Sequence, residues 1–137
     1  MVGIRKESTA YTQQADLGRE NKDCHVRAVA IVANMDYEES HALHKKHGRK
    51  DRCATYYNTT NAIVSELNLR KLNVRRSGKF GKDRYPTVKQ FVWDHPKGRF
   101  LVHRSGHAFA IIDGVVHDWA HGTGPRSRIV WAAEVQI

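Results

Sequence analysis

Three residues of this sequence have side chains and positions that suit acyl-transfer chemistry. Cys24 follows Asp23, a residue type that caps helices, so its thiol is expected at a helix N-terminus, where the helix dipole and free N–H groups lower a thiol pKa. His107 and Asp118 lie on either side of Asp113-Gly114, the strongest hairpin signal in the chain. Together the three would supply a nucleophile, a group that transfers protons, and a carboxylate that orients the imidazole.

The predicted hairpin brings His107 and Asp118 to the same face of a sheet. A two-residue loop at Asp113-Gly114 fixes the pairing, and the alternation of side chains then makes the two residues diagonal neighbours, roughly 7–8 Å apart at the backbone. Asp113 itself is interpreted as a turn residue outside the site. His103 and His117 fall on the opposite face, which we interpret as a wet surface.

The elements that must position these residues begin with helices. Four helices are predicted, at residues 24–33, 37–47, from 59 or 60 to 67, and 88–94. The first is apolar on nearly all sides and is therefore expected at the centre of the domain. Asp23, Asp36 and Thr87 are the predicted N-caps, and Glu39 would complete a capping box with Asp36.

Beyond residue 99, apolar residues alternate with polar ones, which predicts strands. Four strands are expected in an antiparallel meander, at residues 100–104, 107–112, 115–120 and 129–135. Helices followed by such a sheet indicate an α+β domain. A chain of 137 residues suits one hydrophobic core, so residues 21–137 are predicted to form a single domain and the polar residues 1–20 an N-terminal arm.

The composition is strongly basic, with 23 Lys and Arg against 14 Asp and Glu and a formal net charge of +9. Acidic proteins, phosphates or nucleic acid would suit this charge as partners, and the basic segments 45–52 and 70–84 are interpreted as solvated loops. The sequence has neither a run of 18 apolar residues nor a secretory leader. We therefore expect no membrane partner and a cytoplasmic protein whose cysteines are free thiols.

The histidines of the second predicted helix form a separate candidate site. His41, His44 and His47 recur at a spacing that permits zinc binding. Lysines stand among them, and no cysteine or carboxylate lies at a matching spacing, so we interpret the run as a solvated helix face. No metal or other cofactor is expected.

Two further groups of residues have simpler interpretations. Cys53 lies in a basic loop and is interpreted as a free thiol without a role. The alternative is that neighbouring cations lower its pKa and make it the reserve nucleophile. The three tryptophans are predicted to lie in the core or at its edge, at positions Trp93, Trp119 and Trp131.

The order of the candidate residues along the chain resembles that of papain-like cysteine peptidases. A cysteine begins a central buried helix, a histidine begins a strand, and a carboxylate lies on the next strand. The layout is similar to the small compact branch that includes the C39-like bacteriocin-processing peptidases. Residues 21–28 and 105–118 also look like segments of small tailed-bacteriophage proteins, and the whole resemblance covers roughly residues 20–120.

This resemblance implies a papain-like fold and a role for each residue. Cys24 would be the nucleophile, His107 the general base and then acid, and Asp118 the residue that orients His107. The implied reaction is hydrolysis of a peptide or isopeptide bond through a thioester. The substrate would be a peptide or protein, such as a host protein in the host cytoplasm if the chain is phage-encoded.

The sequence departs from the family at the oxyanion donor. The family usually has a Gln six residues before the Cys, and this chain has Gly18 there. Asn21, or Gln14 or Gln13 folded back, would have to supply the donor. Loss of such a donor costs on the order of 10²–10³ in rate, so the departure bears on activity more than on fold.

The alternative hypothesis keeps the fold without the catalysis. The chain would then be a catalytically inactive basic module that docks on a host protein or on nucleic acid through its positive surface. A metal site built from the histidines is a third hypothesis.

Overall fold

A computed structural model describes residues 3–5, 23–50, 54–77, 83–118 and 123–136. Four helices lie in these ranges: α1 (Cys24–Ala33), α2 (Tyr37–Lys46), α3 (Tyr57–Glu66) and α4 (Val88–Asp94). The longest of them have ten residues, and none of the described helices is long and apolar enough to cross a membrane.

Six of the eight described strands form one sheet. The strands are β1 (Gly3–Arg5), β2 (Leu69–Lys71), β3 (Arg76–Ser77), β4 (Asp83–Arg84), β5 (Arg99–Arg104), β6 (His107–Ile112), β7 (Val115–His117) and β8 (Trp131–Val135). The sheet order is β1-β7-β6-β5-β8-β2, and all neighbours are antiparallel except β1 and β7. The predicted α+β class is confirmed.

The sheet is larger than the predicted meander and is connected differently. β8 pairs with β5 and not with β7, because the central, buried β5 needs hydrogen-bond partners along both of its edges. β2 begins one residue before the predicted basic connection 70–84 and extends into it, and β1 lies in the predicted arm 1–20. Short strands such as these carry too little alternation to be recognised from the sequence.

The predicted hairpin register is confirmed. Ala110 pairs with His117 and Arg104 with His107, as two-residue loops require. Asp113 and Gly114 both have positive φ, 48° and 79°, which is the conformation of a type I′ turn. The third strand is shorter than predicted, because β7 ends at His117 and Asp118 follows it outside the strand.

Both faces of the central strands β5 and β6 carry buried apolar side chains. One face, here the α4 face, packs Phe100, Phe109 and Val116 against α4. The other, here the α1 face, packs Leu101, Ala110 and other apolar side chains against α1, α2 and α3. The interpretation of the second face as a wet surface was therefore wrong, since its small apolar residues lie beneath helices, and His103 and His117 are half-buried on it.

The helix caps differ from prediction at two of three positions. Thr87 forms the predicted cap of α4, in a complete capping box with Gln90. Asp36 makes no side-chain cap bond. Asp23 makes none either, because its carboxylate instead accepts hydrogen bonds from Tyr37 Oη at 2.8 Å and Arg27 Nε at 3.1 Å.

Two predicted placements of large side chains also need correction. Trp93 was expected in the core but is 84% exposed, because the buried stripe of α4 is formed by Val88, Phe91 and Val92. Arg49 was expected in a solvated loop but is buried. α3 begins at Tyr57, before the predicted start, and Trp119 lies outside the described residues.

The capping box of α4 gives a stability prediction that does not involve the candidate site. Thr87→Ala removes the acceptor for the Gln90 N–H, so we expect the free energy of unfolding to fall by about 1 kcal/mol. Urea denaturation measures this change, with Ser105→Ala in an exposed turn as the control. Equal stabilities of the two variants would show that the cap contributes nothing.

Candidate active site

The structure brings Cys24, His107 and Asp118 together in one hydrogen-bonded series. His107 Nε2 lies 2.8 Å from Asp118 Oδ1, and the carboxylate is 1% exposed. The His107 ring also hydrogen-bonds to the Cys24 thiol. Because Nε2 is hydrogen-bonded to the carboxylate, Nδ1 is the ring nitrogen that can form the hydrogen bond with the sulfur.

Helix α1 places the thiol because it is fixed along its length. It packs on β6, where Ala108 and Ala110 are small enough to allow close approach. At its C-terminal end, Arg99 donates from Nε to the Val32 carbonyl at 2.9 Å and from Nη2 to the Ile31 carbonyl at 2.6 Å. Both carbonyls belong to the last turn of α1, where intrahelical partners run out, and that of Ile31 also accepts from the Asn34 N–H at 3.3 Å.

The surroundings of the thiol favour the thiolate. Burial alone would raise the pKa of Cys24, but hydrogen bonds and charge outweigh it and lower the pKa. The His107 ring contributes most to the lowering, followed by the Ala108 N–H, the positive charge of His107, and the His25 N–H in the first turn of α1. A thiolate at this position therefore has three donors around it, two of them from the backbone.

The same contacts favour the charged form of His107. Burial alone would lower its pKa, but the hydrogen bonds to Asp118 and to Cys24, together with their charges, raise the pKa to about 9. A lowered thiol pKa and a raised imidazole pKa both favour a thiolate–imidazolium pair over a neutral thiol beside a neutral imidazole. Such a pair is ready for nucleophilic attack and for transfer of a proton to a leaving group.

The oxyanion donors proposed from the sequence lie outside the described residues. These are Asn21, Gln14 and Gln13, and the same holds for Gly18 and for the reserve nucleophile, Cys53. Among the described residues, the backbone N–H groups at the start of α1 lie next to the sulfur. The first N–H groups of a helix have no intrahelical acceptor, so they are donors of the kind that can stabilise an oxyanion.

Beneath the thiol, two buried histidines form a hydrogen-bonded chain that sequence reasoning did not predict. His25 Nδ1 lies 2.7 Å from His44 Nε2, and His44 Nδ1 lies 2.7 Å from the Ser40 carbonyl. Thr60 Oγ1 lies 3.2 Å from His25 Nε2. Because the Ser40 carbonyl only accepts, each N–H in the chain points one way: Thr60 donates to His25, His25 to His44, and His44 to Ser40.

This chain corrects the interpretation of the second helix as a solvated histidine face. His44 is fully buried, while His47 lies 3.0 Å from Glu66 and His41 packs against Tyr37. The three side chains therefore diverge. Among the described residues, no group of three metal-ligand side chains converges.

A third histidine extends this cluster across the sheet. The His103 ring packs edge-on against His25, with centroids 5.1 Å apart, and stacks on Trp131 at 4.3 Å. Burial lowers the pKa of His103 to about 4, and the charge of His107 acts in the same direction. His25, which together with Arg27 interrupts the apolar run of the first helix, was the sequence signal of this cluster.

The thiol environment predicts selective alkylation. We expect iodoacetamide to modify Cys24 with a pKa below the usual value of about 8.5, because His107 and two backbone N–H groups stabilise the thiolate. The rate is measured against pH by intact mass, with Cys53→Ser to isolate Cys24. His107→Ala should move the pKa back upward, and an unchanged profile in this variant would contradict the assigned contact.

The histidine chain predicts loss of stability in acid. Burial lowers the pKa of His44 from 6.5 to about 4 and holds that of His25 well below 6.5, so these two side chains bind protons more readily in the unfolded chain. The contribution of these two histidines to stability is therefore complete above pH 6.5 and decreases as the pH falls toward 4, by about 3 kcal/mol for His44.

Urea denaturation from pH 7 to pH 4.5 measures this dependence. His44→Gln should give a flatter profile than the unchanged protein, because one titrating group has been removed. His41→Gln on the same helix is the matched control. A His44→Gln profile as steep as that of the control would show that His44 does not link stability to pH.

Comparisons with models of protein families, with curated protein sequences and with solved structures find no match to this chain. The geometry of the site is therefore the evidence from which a function is inferred.

Proposed function

We propose that this protein is a papain-like cysteine peptidase or amidase that hydrolyses a peptide or isopeptide bond. The observation that supports it best is the hydrogen-bonded series of Asp118, His107 and Cys24, with the sulfur at the first residue of a buried helix. The α+β layout, with a cysteine helix before the histidine strand, also resembles the papain-like arrangement. The same proposal includes that the protein is encoded by a bacteriophage and that its substrate is a protein of the host.

In this mechanism the Cys24 thiolate attacks the carbonyl carbon and forms a C–S bond, while the carbonyl π electrons move to oxygen. The tetrahedral intermediate collapses as the C–N bond breaks, and the His107 imidazolium gives its proton to the leaving amine. A thioester and a neutral imidazole remain. His107 then takes a proton from water, which attacks the thioester and releases a carboxylic acid and the thiolate–imidazolium pair.

Asp118 acts in both half-reactions through His107. Its buried carboxylate holds Nε2, so that Nδ1 faces the sulfur throughout, and its charge stabilises the imidazolium both in the resting pair and when it forms again during deacylation. The developing oxyanion would be stabilised by the Cys24 backbone N–H at the positive end of α1, together with a side-chain donor from the segment before Cys24.

The second candidate function is a non-catalytic binding module, and the net charge of +9 favours it. Such a module would bind an acidic protein or nucleic acid with an affinity that falls steeply with salt. Its binding would survive loss of the thiol, whereas the proposed hydrolysis requires it.

Substitution of the three residues tests the proposed function. Cys24→Ala should abolish peptide hydrolysis and covalent labelling by an electrophilic peptide probe, and His107→Ala should do the same. Asp118→Asn should lower kcat/KM on the order of 10²–10⁴-fold, because the carboxylate no longer stabilises the imidazolium. Hydrolysis is measured by mass spectrometry on a peptide library.

Cys53→Ser and His41→Gln are the matched controls and should keep full activity. Thermal unfolding of Cys24→Ala should match that of the unchanged protein, since the thiol is at the edge of the core. Hydrolysis that persists in a folded Cys24→Ala protein would refute the assignment of the nucleophile.

A further inference from the structure

Two segments on the α4 side of the sheet form one continuous surface, here called the α4 platform. It consists of residues 85–93, which include most of α4, and residues 123–130, which lead into β8. Three backbone hydrogen bonds of 2.8 to 3.0 Å between described residues join the two segments, among them that from the Lys89 N–H to the Pro125 carbonyl. The first turn of α4 is therefore held beside the turn that precedes β8.

The α4 platform carries positive charge that no carboxylate of its own offsets. Lys89, Arg126 and Arg128 are exposed, and neither segment contains Asp or Glu. Arg128 donates from Nη1 to the Tyr85 carbonyl at 2.8 Å, a partner that orients the guanidinium without cancelling its charge. Among the described residues, no ion pair involves any of these three cations. The surface therefore suits a polyanion as its partner.

An open indole lies beside these cations. Trp93 is 84% exposed, whereas Trp131 is 8% exposed, and no ring or cation of the described residues packs over it. Residues four apart share a helix face, so Lys89 and Trp93 are neighbours. Asp94, the carboxylate that follows, lies about 100° further round the helix, on the side away from Lys89. Because tryptophan is highly buried on average, an indole this open is available to a partner.

We propose that the α4 platform binds single-stranded nucleic acid, with a base stacked on Trp93 and backbone phosphates bound by its three exposed cations. Open aromatic rings beside cations bind unpaired strands, because every base has a stacking face and every linkage carries a charge. The guanidinium groups of Arg126 and Arg128 also match phosphate geometry, through two parallel N–H donors each. DNA and RNA strands share this chemistry.

The α4 platform suits a nucleic-acid strand better than an acidic protein. The carboxylates of an acidic protein would pair with the cations and leave the indole in water, whereas a strand would use both features. The exposed tyrosine Tyr57 is less suited to stacking, because Lys71 lies over its ring at 5.8 Å and donates to its hydroxyl at 3.2 Å. Trp93 is therefore the ring on which the proposal depends.

This surface is separate from the candidate active site. The buried side chains of α4 pack on the α4 face of the sheet, whereas α1, which begins at Cys24, packs on the opposite face. Binding of a strand is therefore a further function that does not rest on the proposed hydrolysis. Cys24→Ala should bind nucleic acid with the affinity of the unchanged protein, and Trp93→Ala should keep the alkylation profile of Cys24.

Fluorescence anisotropy with labelled oligodeoxythymidine and oligouridine of about 12 nucleotides tests the stacking contact. Trp93→Ala should weaken binding of a strand that the unchanged protein binds by about tenfold, because a base loses its platform, and Trp93→Phe should restore most of the affinity. Tyr56→Ala is the matched control, since Tyr56 is 71% exposed and lies outside the α4 platform. A DNA duplex of equal length should bind more weakly, because its bases are already stacked.

The salt dependence of binding tests the phosphate contacts. Lys89→Gln with Arg126→Gln should weaken binding at low salt by about tenfold or more. The slope of the logarithm of affinity against the logarithm of salt concentration should become shallower by about 1.4, since each phosphate contact of a single strand contributes about 0.7. The matched control, Lys50→Gln with Lys71→Gln, removes the same charge at two exposed positions outside the α4 platform and should leave the slope unchanged.

The outcomes decide the inference without reference to hydrolysis. Failure of both strands to bind, equal affinities of Trp93→Ala and Tyr56→Ala, or equal slopes in the two double variants would overturn it. So would a 12-residue polyglutamate peptide that binds as tightly as the strands and does not respond to Trp93→Ala, because the partner would then be an acidic protein. Binding of only one of the two strands would support the inference and identify DNA or RNA as the source.

Discussion

The buried hydrogen bond between Asp118 and His107 is the constraint on which the arrangement of this site depends. A carboxylate that is 1% exposed is costly unless it is paired, and the imidazolium is its partner. The pairing fixes which nitrogen of His107 faces Cys24, and so makes the sulfur a second hydrogen-bond partner of the ring. The type I′ turn between β6 and β7 is needed because a slip of one residue would separate the pair.

The buried histidines around the thiol are held in two different charge states. On one side, His107 is held in its charged form by a carboxylate and a sulfur. Beneath the thiol, His25 and His44 are held neutral, because every ring nitrogen in their chain already has a matched donor or acceptor. Cys24 and His25 are adjacent in the first turn of α1, so the charged pair and the neutral polar chain begin at neighbouring residues of one helical turn.

The contacts among the candidate residues could be predicted from the sequence more fully than the order of the strands. The register of His107 and Asp118 followed from one turn, because Asp113-Gly114 permits few alternatives. The position of β8 beside β5 did not follow, since strand order depends on contacts between distant segments. The burial of His44 was missed for a similar reason: a histidine among lysines looks solvated until its partner from another helix is known.

The pairing of β1 with β7 has a consequence for how the carboxylate is held. Gly3–Arg5 runs parallel to Val115–His117, the strand that leads directly into Asp118. Without that neighbour, β7 would have an unpaired outer edge three residues long, and short strands at an edge open readily to solvent. Slow amide exchange along Val115–His117 would therefore indicate that Gly3–Arg5 is paired with this strand. The position of Asp118 would in that way depend on a segment more than 100 residues away in the sequence.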